Sequence, residues 1–362
     1  MITYPIPMVP GPVSVPKTVL AAYQKNYGSA DMEPEYLDLY RQTAAQLQSL
    51  MATRNDVVIQ TGEGMLVLWG ALKSCLKRGD RVLSIASGVF GFGIADIARS
   101  LGADVITIDI PYNQTVSNLQ EIEQAIVNHR PKMITVVHCE TPSGTLNPLD
   151  GIAQLKREYQ VPLLYVDAVA SIGGAPVKTD EWSIDLCLGG SQKVLSCPPD
   201  LSFLSVSPAA WEIIEQVNYP GYDALKPFKT APQTGYFPYT PDWHGLAALH
   251  TAAQILLDEG LEKVFTRHQQ AAAHTRRRLT EIKAQLYPAA SAVPSPTVTA
   301  VKVPEAIGWP ELDARFRKKG LVVGGSYGPL AGKVYRLGHM GSQADLALLD
   351  RALEVIEAAT RA

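Results

Sequence analysis

A chain of 362 residues with 46% hydrophobic and 19% charged side chains has the composition of an ordinary soluble globular protein, long enough for one large domain and a smaller one. Its formal net charge of −3 and pI of about 6.2 argue against a nucleic-acid partner, and the one basic cluster, HTRRRL at 274–279, reads as the solvated face of a helix. No apolar run reaches membrane-spanning length, and the start MITYPIPMVPGPVSVP lacks the pattern of a signal peptide. Cys75, Cys139, Cys187 and Cys197 show no metal-ligand spacing and read as reduced thiols, so a cytoplasmic protein without a metal is expected.

From about residue 56 to residue 206, short β-rich runs alternate with helical patterns. DVVIQTG (56–62) precedes the helix-like MLVLWGALKSCLKRGD, and RVLSIAS (81–87) precedes FGIADIARSLG. DVITIDI (104–110) is followed by LQEIEQAIVNH, and MITVVHCE (133–140) by LDGIAQLKREY. VPLLYVDA (161–168), DLCLGG and LSFLSVS complete the series. Strands separated by single helices imply right-handed crossovers and a mostly parallel sheet covered on both faces. Ligands bind at the carboxyl ends of such strands. There stand TGEG, SGVFG, CETPSG, DAVAS and GSQK.

Beyond about residue 245 the texture changes. LAALHTAAQILLDEG and LEKVFTRHQQAAAHTRRRLTEIKAQL have the periodicity of long amphipathic helices. After SAVPSPTVTAVKVP come the helical WPELDARFRKKG, the strand-like LVVGGS and KVYRLG, and a closing helix, QADLALLDRALEVIEAATRA. The reading is an α/β fold: a large domain over 15–250, a smaller α+β domain over 251–362, and residues 1–14 packing near the active site.

The chemistry centres on GGSQKVLSCPPD at 189–200, where Lys193 follows an apolar strand and a Gly-Gly turn. An ammonium at the end of a buried strand is costly to desolvate. Lys193 is therefore either a surface loop lysine or an amine of lowered pKa suited to attack a carbonyl. Asp167 ends the apolar run VPLLYVDA, 26 residues earlier. It is either a satisfied loop or capping carboxylate or the partner of a cation. Two neighbouring strand ends can hold an amine and a carboxylate at opposite edges of one flat ring. A pyridoxal ring requires that arrangement, with the lysine forming an imine and the aspartate keeping the ring nitrogen protonated.

VPGPVSVP, SGVFGFG, IPYNQ, HCETPSGTLNPLDG, VDAVASIGG, GSQKVLSCPPDLSFLSVS, FPYTP, SPTVTAV and GKVYRLGHMG occur in that order along the chain. With them the sequence resembles the fold-type-I, class V aminotransferases of the alanine–glyoxylate and serine–glyoxylate group, and most nearly the pyridoxamine–pyruvate type. The resemblance implies that Lys193 is the Schiff-base lysine and Asp167 the partner of the pyridine nitrogen. It makes Phe90 the aromatic that stacks on the ring, where a core Phe is the plain alternative. Thr141 becomes a hydroxyl contacting the cofactor (or an ordinary turn residue before Pro), and Gln192 a polar group of the pocket. Arg336 in VYRLGHMG becomes the grip on the substrate carboxylate, with a structural salt bridge as the alternative. Small-molecule substrates (an amino acid, a 2-oxo acid, a vitamin B6 form) and a homodimer sharing its active sites are implied as well.

The sequence departs from the glyoxylate-type pattern at the phosphate loop. Gly62, Glu63, Gly64 and Met65 stand where relatives carry a Gly-Ser-Gly-like start to the helix that binds phosphate. A carboxylate there repels a phosphate dianion but suits the neutral hydroxymethyl group of unphosphorylated pyridoxal or pyridoxamine. Alternatively, Glu63 only begins the helix, its side chain turned away, and pyridoxal 5′-phosphate binds normally. In FPYTP, Phe237 replaces the tyrosine that relatives donate to the phosphate across the dimer, while Thr240 is retained. Tyr327, in GGSYGPLAGK, stands where the pyridoxamine–pyruvate pattern has a second arginine. The expected reaction is amino transfer between pyridoxamine and a small 2-oxo acid such as pyruvate, giving pyridoxal and L-alanine. The alternative is a pyridoxal-phosphate-dependent alanine– or serine–glyoxylate aminotransferase. A lyase or desulfurase would want an exposed loop cysteine, and a mere vitamin B6 carrier would not need Lys193, Asp167 and Arg336 together.

Overall fold

The computed structural model describes residues 4–361. β1 (Ile6–Met8), α1 (Lys17–Tyr23) and α2 (Pro34–Leu50) lead into the alternating part of the chain. This runs β2 (Asp56–Thr61), α3 (Gly64–Cys75), β3 (Arg81–Ala86), α4 (Val89–Ser100), β4 (Asp104–Asp109), α5 (Leu119–His129) and β5 (Met133–Val137). After a two-residue pair, β6 (Cys139–Glu140) and β7 (Thr145–Leu146), come α6 (Asp150–Glu158), β8 (Leu163–Asp167), β9 (Leu186–Gly190) and β10 (Leu201–Val206). Helices α7 (Pro208–Val217), α8 (Ala231–Thr234), α9 (Trp243–Glu259) and α10 (Leu261–Glu281) follow. The last part is β11 (Val298–Lys302), α11 (Trp309–Lys318), β12 (Leu321–Gly325), β13 (Val334–Gly338) and α12 (Leu346–Arg361).

Seven strands make the large sheet in the order β2-β10-β9-β8-β5-β3-β4, and only β10 runs antiparallel to its neighbours. Strands β5, β8 and β9 are buried along their whole length, as helices on both faces of a parallel sheet require. β4 closes one edge and alternates exposed with covered residues. The order reverses between β3 and β5, so the loops leaving these two strands diverge and open a crevice at the carboxyl edge. Asp167 is the last residue of β8, and its neighbour across the ladder is Leu188 of β9, five residues before Lys193.

A second sheet, β1-β12-β13-β11, carries its own apolar core of Met8, Leu312, Phe316, Leu337, Leu353 and Ile356 among others. The chain thus starts in the small sheet, through β1 lying parallel to β12, before building the large one. The division expected between residues 250 and 251 falls inside α9, which runs unbroken and packs Leu246, Leu249 and Ala253 into the core of the large sheet. The two cores meet instead within α10, whose Val264 belongs to the first and Ala271 to the second.

Two further differences bear on the site. The run MITVVHCE is not one strand: β5 ends at Val137, and Cys139 and Glu140 turn off to pair with β7. The helix expected from FGIADIARSLG starts three residues earlier, at Val89, so Phe90 lies in a first helical turn and not in a loop. The physical reason for both is one residue, Glu140, which leaves the sheet to take hydrogen bonds from the amides of that turn.

Candidate active site

The carboxyl ends of β2, β5, β8 and β9 surround a cavity of about 110 Å³. It is lined by Glu63, Gly64, Met65, Leu68, Phe90, Cys139, Thr141, Asp167, Val169, Ala170, Gln192 and Lys193. A larger hollow of about 730 Å³ lies elsewhere, around Asp80, Arg130 and Lys132 at the amino ends of the strands, and holds none of these residues.

Asp167 is buried, and its Oδ1 accepts the Val169 amide at 3.0 Å. Burial pushes its carboxyl up to about 6, against the pull of that amide and of the Lys193 cation. Burial also lowers the Lys193 amine to about 8, and the Arg336 guanidinium adds to the effect. Lys193 Nζ donates to the Pro10 carbonyl at 2.8 Å, and the Val13 amide donates to the Gln192 carbonyl at 3.2 Å. The segment after β1 therefore lies directly over the lysine. At Gly11, with φ of +90°, a Cβ would come 2.5 Å from Lys193 Cδ, so only glycine leaves that side chain its place.

Gly62 has φ of +129°, which gives the sharp exit from β2, and α3 begins at Gly64. Glu63 stands at the N-cap position but its side chain makes no cap bond. Its Oε2 accepts instead from Gln192 Nε2 at 3.0 Å, across the cavity wall. The carboxylate is turned toward the cavity. The first amides of α3 are left without a side-chain cap from Glu63.

Phe90 and Thr141 sit on the two sides of the crevice between β3 and β5. Thr141 Oγ1 and Gln192 Oε1 are buried with no hydrogen-bond partner among the described residues. Arg336, 3% exposed in the middle of β13, donates from Nε to the Gly325 carbonyl at 2.7 Å and has no carboxylate partner among the described residues. Its guanidinium lies 4.7 Å from the ring centre of Tyr327, which is half exposed. Phe237 and Thr240 are not brought to this cavity. Phe237 packs against Tyr36, Tyr40 and Phe228 in the core, and Thr240 is exposed. Their loop docks on β2 through Tyr239, whose Oη accepts the Thr61 amide at 3.0 Å.

Pro10, Glu140 and Val169 were not singled out by sequence. For Glu140 the signal was present: a carboxylate directly after the apolar run MITVVHC, the same anomaly that marks Asp167.

Comparison with known proteins places this geometry. Residues 9–323 match the family model of the class-V aminotransferases. An uncharacterized aminotransferase from Methanocaldococcus jannaschii is 35% identical, over 92% of this chain and 87% of its own. The alanine–glyoxylate aminotransferase of Oryctolagus cuniculus is 32% identical, over 94% of this chain and 89% of its own. The crystal structure of pyridoxamine–pyruvate aminotransferase from Mesorhizobium loti superposes with a TM-score of 0.94 at 30% identity, covering 99% of this chain and 93% of that one. The protein belongs to the class V aminotransferases and has the fold-type-I architecture. It is a transaminase, and the family depends on pyridoxal phosphate. The cavity fits the pyridoxal ring of such a group: a buried carboxylate, a lysine, an aromatic side chain and two orphaned polar atoms, Thr141 Oγ1 and Gln192 Oε1, line one space. Among the described residues, no helix is long and apolar enough to cross a membrane.

Proposed function

We propose that the protein moves an amino group between pyridoxamine and a small 2-oxo acid such as pyruvate, giving pyridoxal and L-alanine. The observation that carries this reading is Glu63: a carboxylate at the start of α3, aimed into the cavity and held there by Gln192. Beside a phosphate dianion it would cost about 4 kcal/mol per unit-charge pair at ~4 Å and an effective dielectric near 20. Toward a hydroxymethyl group it is a good acceptor. The pyridoxal ring, when bound, supplies an electron sink for the bonds around the substrate α-carbon. In this reading Asp167 holds a proton at the ring nitrogen, Phe90 covers one face, and Thr141 and Gln192 offer their free polar atoms. Lys193 is the group that accepts and returns the α-proton, and Arg336 holds the oxo-acid carboxylate with Tyr327 beside it. Thr240, exposed on the FPYTP loop, is offered to the cavity of a second copy in a homodimer, whereas Phe237 stays in the core of its own chain.

The test is Glu63→Ser. Serine removes one repulsion and adds one hydroxyl, so the preference should swing toward pyridoxal phosphate by roughly 2–4 kcal/mol. Paired equilibrium titrations with pyridoxal and pyridoxal phosphate, on wild type and variant, measure it. Tight binding of pyridoxal phosphate by the wild type, or no swing in the variant, overturns vitamer selection by Glu63. The second reading, a pyridoxal-phosphate-dependent alanine– or serine–glyoxylate aminotransferase, then takes its place. The uncapped first amides of α3, which suit an anion, are the observation that favours it.

Arg336→Lys should raise KM for the oxo acid about ten- to a hundredfold with little change in ring affinity, because an ammonium cannot reproduce the planar fork. Unchanged KM would move the carboxylate to another residue. The Lys193 amine is neutral only above about pH 8. Capture of pyridoxal, followed by stopped-flow absorbance, should therefore quicken about tenfold per pH unit below 8 and level off above it. A rate still climbing beyond pH 10 is the behaviour of an ordinary lysine and contradicts the assignment.

A further inference from the structure

Glu140 has no part in the reaction as described, yet it is 0% exposed and touches both walls of the crevice. Its own backbone leaves β5 between two cavity residues, Cys139 and Thr141. Its side chain crosses to the opposite wall, where Oε1 accepts the Gly91 amide at 2.7 Å and Oε2 the Phe90 amide at 3.3 Å. Those amides belong to the first turn of α4, whose own N-cap residue, Gly88, has no side chain to offer. The fit is close. A Cβ on Gly88 would come 2.6 Å from Glu140 Cδ, and one on Gly91 would come 3.3 Å from Oε1. The helix start therefore has a cap supplied from another strand, and that cap fixes the backbone of the one aromatic residue facing the cavity at this wall.

We infer that Glu140 is a positioning residue for ring binding: by holding the amides of Phe90 and Gly91 it sets the Phe90 side chain against the bound vitamin B6 ring. This rests on the ring-binding reading above. Glutamine at 140 keeps the shape and one acceptor but places an NH2 group against an amide N–H, which displaces the turn without opening a cavity. Alanine removes both acceptors.

The experiment titrates apo-protein with pyridoxal and with pyridoxal 5′-phosphate, following absorbance, for wild type, E140Q, E140A, F90A and the E140Q/F90A double variant. Thermal unfolding is recorded alongside. The expected result is at least a fivefold loss of ring affinity in E140Q, a larger loss in E140A, and less than a twofold further loss when E140Q is added to F90A. E140Q is the isosteric variant and carries the test should E140A fail to fold. A plain helix cap would lower the unfolding temperature without that coupling to Phe90. Wild-type affinity in E140Q, or losses that multiply in the double variant, overturns the inference. If the wild type binds neither vitamer, the ring-binding reading itself fails, and this inference with it.

Discussion

Lys193→Ala should lose at least ~10³-fold in transamination rate, since on the proposed mechanism the variant lacks the amine that attacks the carbonyl and moves the α-proton. The new visible absorbance that pyridoxal develops on the wild type should be missing. The fold should survive: the Nζ hydrogen bond is to one backbone carbonyl, at Pro10, and no carboxylate pairs with the lysine among the described residues. The variant's far-ultraviolet circular dichroism checks that point. Turnover within tenfold of wild type would remove Lys193 from the chemistry.

Asp167→Ala is the second large effect, on the order of 10²–10³ in rate with the ring still bound, because in its proposed role Asp167 keeps the pyridine nitrogen protonated and an unprotonated one is a weak electron sink. It carries a second signature. The Asp167 charge raises the Lys193 pKa, opposing burial and Arg336. Its removal should move the inflection in pyridoxal capture below pH 8. Single-turnover kinetics across pH separates the two consequences. A rate within a few-fold of wild type together with an unmoved inflection places the ring elsewhere.

The large sheet was legible because its strands announce themselves. Met133–Val137, Leu163–Asp167 and Leu186–Gly190 are buried on both faces and so read as unbroken apolar runs. Asp167, Lys193 and Arg336 stood out by the opposite sign, as charges in apolar surroundings. Helix starts were harder. VFGFG is made of valine, phenylalanine and glycine, all with little helical preference, and Val89–Gly91 form a turn capped by a carboxylate some fifty residues later. Pro10 was out of reach for another reason. Nothing in VPGP says that its carbonyl will meet an amine 183 positions away. The direction of the Glu63 side chain was likewise open, since cap and cavity were equally near, and its pairing with Gln192 decided it. The FPYTP loop packs on its own chain through Phe237 and Tyr239.

The parallel pairing of β1 with β12 has a consequence for how the protein is made. Pro10 can be held over Lys193 only once Ile6–Met8 have a strand to lie against, and that strand begins at Leu321. A ribosome adding about 5–20 residues per second needs roughly 15–60 s to get from one to the other. In the later part of that interval, once Val206 has been added, the large sheet has all its strands, yet the lysine lacks its acceptor and the opening residues have nowhere to dock. The candidate cleft is thus among the last parts of the molecule to be finished, although every side chain lining its cavity of about 110 Å³ was synthesised in the first 200 residues.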